Sequence, residues 1–175
     1  MPYKPLIMSI LISPMIVPLI ITAAGMFFFY ARINLVYTFT GVILAHVALA
    51  TPFVVITVTA TLVGFDMNMV KAAQSLGAKP LRTFFKVIMP LILPGIISGA
   101  LFAFITSFDE VVIVMFMASI DQLTIPKQMW AGIRQEISPV ILCMATCLVI
   151  LSIVLLTTVE LLRRRSERLR GIKAR

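Results

Sequence analysis

The chain has 175 residues, of which 61% are hydrophobic and only 13% are charged, and its mean hydropathy is +1.09. A soluble domain of this length needs far more polar residues to cover its surface, so the composition excludes that class and indicates a lipid bilayer. The formal net charge of +8 could suit nucleic acid, but its distribution fits membrane orientation better, and we expect no nucleic-acid partner.

Four apolar stretches are each long enough for the roughly 20 residues of a membrane-spanning helix. The predicted spans cover about 6–30, 37–63, 91–118 and 138–162. Pro14 and Pro18 are expected to kink the first span, and His46 in the second is interpreted as a hydrogen-bonded packing residue. The sequence therefore predicts an all-α, polytopic membrane helical bundle, with residues 1–175 forming one transmembrane domain.

Between the second and third spans, the 66–90 segment has the pattern of two short amphipathic helices joined by a turn. Asp66 is suited to cap a first helix over 67–76, and Gly77 supplies the left-handed residue that ends a helix. Pro80 suits the first turn of the second helix. From these residues alone, the pair could lie on lipid or dock on a cytoplasmic partner, and both interpretations remain open.

Two adjacent carboxylates, Asp109 and Glu110, fall inside the predicted third span. Charged groups are costly in lipid, so they suggest a functional site by default. Phe104 and Phe108, four residues apart on one helix face, could add a cation–π contact to an amine. Alternatively, the carboxylates pair with arginines near the outer surface. Adjacent helical residues point about 100° apart, so at most one carboxylate is expected to face a pathway.

The basic residues are distributed unevenly between the two sides of the predicted bundle. If the spans alternate from an inside N-terminus, 12 of the 15 basic residues lie inside and three lie outside. The inner ones are Lys4, four in the 66–90 segment and seven from Arg163 to Arg175, and the outer ones are Arg32, Lys127 and Arg134. Cytoplasmic loops collect Lys and Arg, so both termini are predicted to be cytoplasmic.

One motif in the 66–90 segment resembles the EAA loop of permease subunits in binding-protein-dependent ABC importers. It reads Lys71-Ala72-Ala73-Gln74-Ser75-Leu76-Gly77 and, nine residues later, Val87-Ile88-Met89-Pro90. The family pattern is Glu-Ala-Ala, three residues, Gly, nine residues, then an apolar residue, any residue, Leu and Pro. Lys71 reverses the charge of the expected glutamate.

The resemblance implies a type I importer permease that does not itself hydrolyse ATP. The implied ATPase-coupling residues are Lys71, Ala72, Ala73, Leu76, Gly77, Phe84 and Pro90. Besides the lipid bilayer, the implied partners are an ATP-binding cassette ATPase subunit, a second permease subunit and an extracytoplasmic substrate-binding protein. The implied location is the bacterial cytoplasmic (inner) membrane.

Within that family, two stretches resemble the polyamine (spermidine/putrescine) branch, namely Ser107 to Val112 and Leu123 to Lys127. The expected substrate is therefore a polyamine, and the expected pathway residues are Phe104, Phe108, Asp109 and Glu110. Such permeases usually have five or six spans, which implies that about two N-terminal helices are absent. We expect the sequence to be a fragment or to have a misassigned start, and we favour these two over the alternative that the protein is a real reduced form.

Two other classes of protein compete with the importer hypothesis. A small four-helix membrane scaffold or channel acting without an ATPase would leave the motif around Gly77 unexplained. An intramembrane enzyme is disfavoured because the sequence contains no HExxH and no credible Ser–His–Asp set. The sequence also has no GxxxxGK[ST] phosphate loop, in line with a permease that does not itself bind ATP. We accordingly expect no catalytic residue, no metal and no cofactor.

Overall fold

The structure, a computed structural model, describes residues 3–135 and 138–169 and is built from helices. The basic residues from 170 onward, which entered the orientation argument, lie outside the described residues. The helices are α1 (Lys4–Ile16), α2 (Leu19–Arg32), α3 (Phe39–Val63), α4 (Met67–Ser75), α5 (Pro80–Thr83), a π turn (Phe84–Ile88), α6 (Met89–Phe108), α7 (Val112–Met117), a 3-10 turn (Ile120–Gln122), α8 (Ile125–Gln135) and α9 (Pro139–Leu169).

Three helical stretches are long and apolar enough to cross a membrane. They are Phe39–Val63, Pro80–Phe108 and Pro139–Thr158. The bent pair α1–α2 makes a fourth if both halves count as one span. The predicted all-α polytopic bundle is confirmed.

The first predicted span is not one kinked helix but two helices that meet at 110°. Val17 has an extended backbone, with φ −74° and ψ 136°, and it directly precedes Pro18. A proline disfavours the helical region for the residue before it, so the helix ends there, whereas Pro14 remains inside α1. With 13 and 14 residues, neither half has the length of a complete span.

The second span agrees with its prediction within two residues. The α3 helix begins after Thr38, whose hydroxyl accepts a hydrogen bond of 3.0 Å from the Gly41 amide. Pro52 lies inside the helix without ending it.

The third span begins earlier than predicted, because α5, the π turn and α6 form one continuous helix from Pro80 to Phe108. In the π turn the Met89 amide donates to the Phe84 carbonyl five residues earlier. A proline ring clashes with the carbonyl four residues before it in a regular helix. The wider turn just before Pro90 relieves that clash and lets the helix continue.

The same span also ends earlier than predicted, since α6 stops at Phe108 and residues 109–111 are not helical. These three residues form a break between α6 and α7. The following α7 does not extend the span but packs into the bundle against α2 and α3. Its side chains Ile113, Val114 and Met117 are fully buried. Ile113 and Met117 form the centre of the core with Ala23, Ala45 and Leu49.

Candidate functional site

The 66–90 segment forms the helix pair that the sequence predicts. The Asp66 carboxylate accepts a 2.9 Å hydrogen bond from the Asn68 amide at the start of α4. At the other end Gly77 has φ +79°, and two backbone bonds close the turn: Gly77 N–H to the Gln74 carbonyl at 2.9 Å and Ala78 N–H to the Ala73 carbonyl at 3.0 Å. This is the pattern of a glycine-terminated helix.

The turn of this segment presents large apolar side chains away from the bundle. Leu76, next to Gly77, is 89% exposed, and Leu81 is 73% exposed. Phe84, predicted as an apolar contact, is 39% exposed. The segment therefore offers a free apolar surface at its turn, while α4 packs on α5 and on the π turn.

The two carboxylates lie in the break between α6 and α7, which corrects the prediction that both sit within an apolar helix. Glu110 is buried, with 6% of its surface exposed. Its two oxygens accept hydrogen bonds from the amides of Ile113 (2.9 Å) and Val114 (3.2 Å). Glu110 thus satisfies the amides at the start of α7, a position where negative charge also suits the helix dipole.

Lys127 caps the C-terminal end of α7. The Lys127 ammonium donates to the carbonyls of Val114 (3.2 Å) and Ala118 (3.1 Å). The negative charge at the start of α7 and the positive charge at its end both interact favourably with the helix dipole. The short helix is therefore held in the core by one residue from the break before it and one from α8.

Asp109 has a different environment from its neighbour. It is exposed, and it lines two cavities. The first, of about 580 Å³, lies at the α1–α2 bend. The second, of about 430 Å³, lies between α8 and α9. Of the two adjacent carboxylates, Asp109 is the one available to a ligand in both cavities.

The sequence did not anticipate the walls of the first cavity. Besides the two carboxylates they are Pro14 to Leu19, Leu49, Phe53, Thr106, Val111 and Val112. The only sequence signal for this wall is the pair Pro14 and Pro18, which marked an irregular helix without locating a cavity.

The aromatic pair predicted for the site is formed, but only one member lies at a cavity shared with a carboxylate. The rings of Phe104 and Phe108 stack with centroids 5.3 Å apart. Phe108 lines the second cavity together with Asp109, whereas Phe104 lines a smaller one against α9. Neither contacts the first cavity.

Arg32 and Arg134, the arginines considered from the sequence as ion-pair partners of the two carboxylates, do not pair with them. Arg134 lies over the ring of Trp130, 5.5 Å from its centroid, and Glu110 is bonded to α7 amides. Within residues 3–135 and 138–169, neither carboxylate forms an ion pair with Arg32 or Arg134.

His46 is hydrogen-bonded, as expected for a packing residue, but its partner could not be identified from the sequence. Its Nδ1 lies 2.7 Å from the Ser107 hydroxyl on α6. The bond links α3 to the end of α6, two residues before Asp109.

Replacing Glu110 by alanine is expected to lower the free energy of unfolding by about 1–3 kcal/mol, because two buried amides lose their acceptor. Thermal unfolding of the detergent-purified chain measures the change. Asp109→Ala is the matched control, since it removes an adjacent but exposed carboxylate. Equal melting temperatures for the two variants would contradict the capping role.

Comparison with known proteins finds transport permeases that are similar to this chain. The spermidine/putrescine transport system permease protein PotC of Haemophilus influenzae is 29% identical over 164 residues, covering 94% of this chain and 64% of that protein. The protein of the same name in Escherichia coli K12 is 30% identical over 161 residues, covering 92% and 61%. The putrescine transport system permease protein PotI of Escherichia coli K12 is 38% identical over 103 residues, covering 59% and 37%.

The chain thus spans less than two thirds of the length of these relatives. A family match covers almost all of it, from residue 2 to residue 168. The matched range includes the 66–90 segment, the break at residues 109–111 and the three long apolar helices. The chain belongs to the family of binding-protein-dependent transport system inner membrane components.

Proposed function

We propose that this chain is a permease subunit of an ATP-driven importer, forming part of the translocation pathway and coupling to a separate ATPase subunit. The observation that carries the proposal is the exposed apolar turn at Leu76 and Gly77, held between two long apolar helices in a chain of this family. The excess of basic residues in the 66–90 segment and near the two ends of the sequence supports a cytoplasmic location for this turn and both termini.

The continuity of α5 with α6 supplies a mechanism for coupling. The 29 residues from Pro80 to Phe108 form one helix, about 43 Å long at 1.5 Å per residue. A partner that moves the turn at Gly77 would therefore displace the far end of this helix, where Asp109 lies. ATP hydrolysis by the partner would thus change access to the pathway, and this chain itself need not bind ATP.

A polyamine is the proposed substrate class. The relatives carry spermidine and putrescine in their names, and such molecules are flexible polycations. Asp109 offers a carboxylate in the same cavity as the Phe108 ring, and carboxylates and aromatic faces both attract ammonium groups. Glu110 contributes by holding α7 in place rather than by contacting substrate.

The Asp109→Asn variant is expected to lower spermidine uptake about tenfold or more, because a hydrogen bond to a charged group is worth about 1.5–3 kcal/mol. Uptake of labelled spermidine is measured in cells that lack other polyamine importers and carry the partner subunits. Asp121→Asn, which neutralises an exposed carboxylate on the outer turn, is the control. Uptake equal to that of the control would remove Asp109 from the pathway.

The partners of the proposed importer are the ATPase subunit, a second permease subunit and an extracytoplasmic binding protein. Within the described chain, no residue of the apolar span of α9 (Pro139–Thr158) is buried, so it has the apolar surface needed to meet lipid or a second permease. Trp130 on α8, 46% exposed, suits the outer interface or a contact with the binding protein.

Co-purification tests the proposal directly. The tagged chain is co-expressed with the ATPase and permease subunits of its organism, with and without the adjoining upstream sequence, and is recovered in mild detergent. Recovery of the ATPase with either form supports the importer. If neither form brings down the ATPase, a scaffold or channel working without one becomes the better account.

A further inference from the structure

The charge of the 66–90 segment is one-sided. It contains four cations, Lys71, Lys79, Arg82 and Lys86, and one acid, Asp66. All five are exposed, and the Asp66 carboxylate is already engaged by the Asn68 amide. Because α4 packs on α5 and on the π turn, the cations belong to one compact unit, and its outward field is positive.

The exposed surface of α4 does not suit insertion into lipid. An interfacial helix needs a broad apolar face. On this nine-residue helix Asn68, Lys71, Gln74 and Ser75 are exposed, and the large apolar side chains exposed beside them are Met67 and Met69 at its start. The most exposed apolar side chain of the segment is Leu76 at the turn (89%), and Leu81 (73%) and Phe85 (60%) are exposed on the helix that follows. Apolar side chains with charged residues around them are typical of a protein docking site.

Resting on the proposed function, we infer that the ATPase surface receiving this segment is acidic, with a carboxylate facing Lys71. Leu76 enters an apolar pocket there, and the carboxylates around the pocket pair with the cations of the segment. Complementary charges at the rim of an interface set the association rate, the salt dependence and the choice of partner. Lys71 stands where the family pattern has a glutamate. This lysine makes the chain specific for an ATPase whose docking surface carries negative charge.

The test is the affinity of the purified ATPase subunit for the full chain in nanodiscs of zwitterionic lipid. We expect Lys71→Glu to weaken binding about tenfold at about 50 mM salt and less than about threefold at about 500 mM, since exposed ion pairs are weak and are screened by salt. Lys4→Glu makes the same change of charge on α1, outside the segment, and is expected to leave the affinity unchanged.

A photo-crosslinking residue at position 71 identifies what faces it, and the expected crosslinked ATPase peptide contains Asp or Glu at the contact. Tighter binding by Lys71→Glu, or a basic contact peptide, would overturn the inference while leaving the importer proposal intact. Equal affinities for Lys71→Glu and Lys4→Glu would do the same. If the wild-type chain binds no ATPase at any salt concentration, the proposed function fails and the inference fails with it.

Discussion

Replacing Gly99 by leucine is expected to prevent α3 and α6 from forming their close pair. A Cβ atom at Gly99 would collide with the Thr57 hydroxyl and would lie 2.9 Å from the Val54 Cα. A side-chain tip can rotate away, but the Val54 backbone cannot. The helices would have to separate, and their contact is the most extensive in the bundle.

The same face of α6 carries a second glycine that reinforces the argument. Gly95 lies one helical turn before Gly99, and a Cβ there would collide with the Thr61 side chain and lie 3.1 Å from the Thr57 carbonyl. Both threonines bond their hydroxyls to carbonyls of α3 itself, so they present small surfaces to α6. Small residues four apart allow close helix packing in membranes.

The expected loss for Gly99→Leu is about 3 kcal/mol, at the upper end of overpacking effects. Thermal unfolding in detergent and the fraction of monodisperse protein on size exclusion measure it. Gly25→Leu is the matched control, because no atom lies within 4 Å of a Cβ placed on this glycine of α2. Equal stability of the two variants would show that the α3–α6 contact tolerates separation.

The proposed coupling role predicts that replacing Gly77 by valine strongly reduces uptake while leaving the chain in the membrane at its normal abundance. Gly77 has φ +79°, and apart from its two chain neighbours no described residue has an atom within 4 Å of a Cβ placed there. A Cβ at this position meets open space, so the expected effect comes from the backbone conformation. A left-handed residue other than glycine costs about 1–2 kcal/mol, and a β-branched one costs more. The turn that carries Leu76 would reorient.

Spermidine uptake and recovery of the ATPase are the measurements for Gly77→Val, and both are expected to fall about tenfold or more. Gly77→Asn is the first control, because asparagine tolerates the left-handed region and should retain most of the activity. Gly64→Val is the second, since Gly64 has φ −85°, which valine accepts. Wild-type uptake by Gly77→Val would contradict a coupling role for the turn.

The features that the sequence predicted well are those that a few neighbouring residues determine. Asp66 caps α4, Gly77 ends it and Pro80 begins the next helix, as expected, because each effect acts within about one helical turn. The apolar runs likewise predicted the helical class, since backbone groups in lipid must bond within their own segment.

The predictions that failed concerned contacts between distant residues. The sequence indicated an irregular first span but not a 110° bend, whose angle accompanies the packing of α1 on α3 and of α2 on α7. It placed Glu110 in a helix, although this carboxylate caps α7. Its burial depends on the core that α2, α3 and α7 form together.

By itself, the amino-acid sequence determined that this is a multi-pass helical membrane protein with a capped helix pair between two spans, because hydropathy and capping act locally. The tertiary structure alone decided that Asp109 is exposed and lines both cavities, whereas Glu110 is buried and lines only the first. It also decided that His46 meets Ser107, 61 residues away. Such pairings depend on how the helices pack, and no pattern within one helix encodes them.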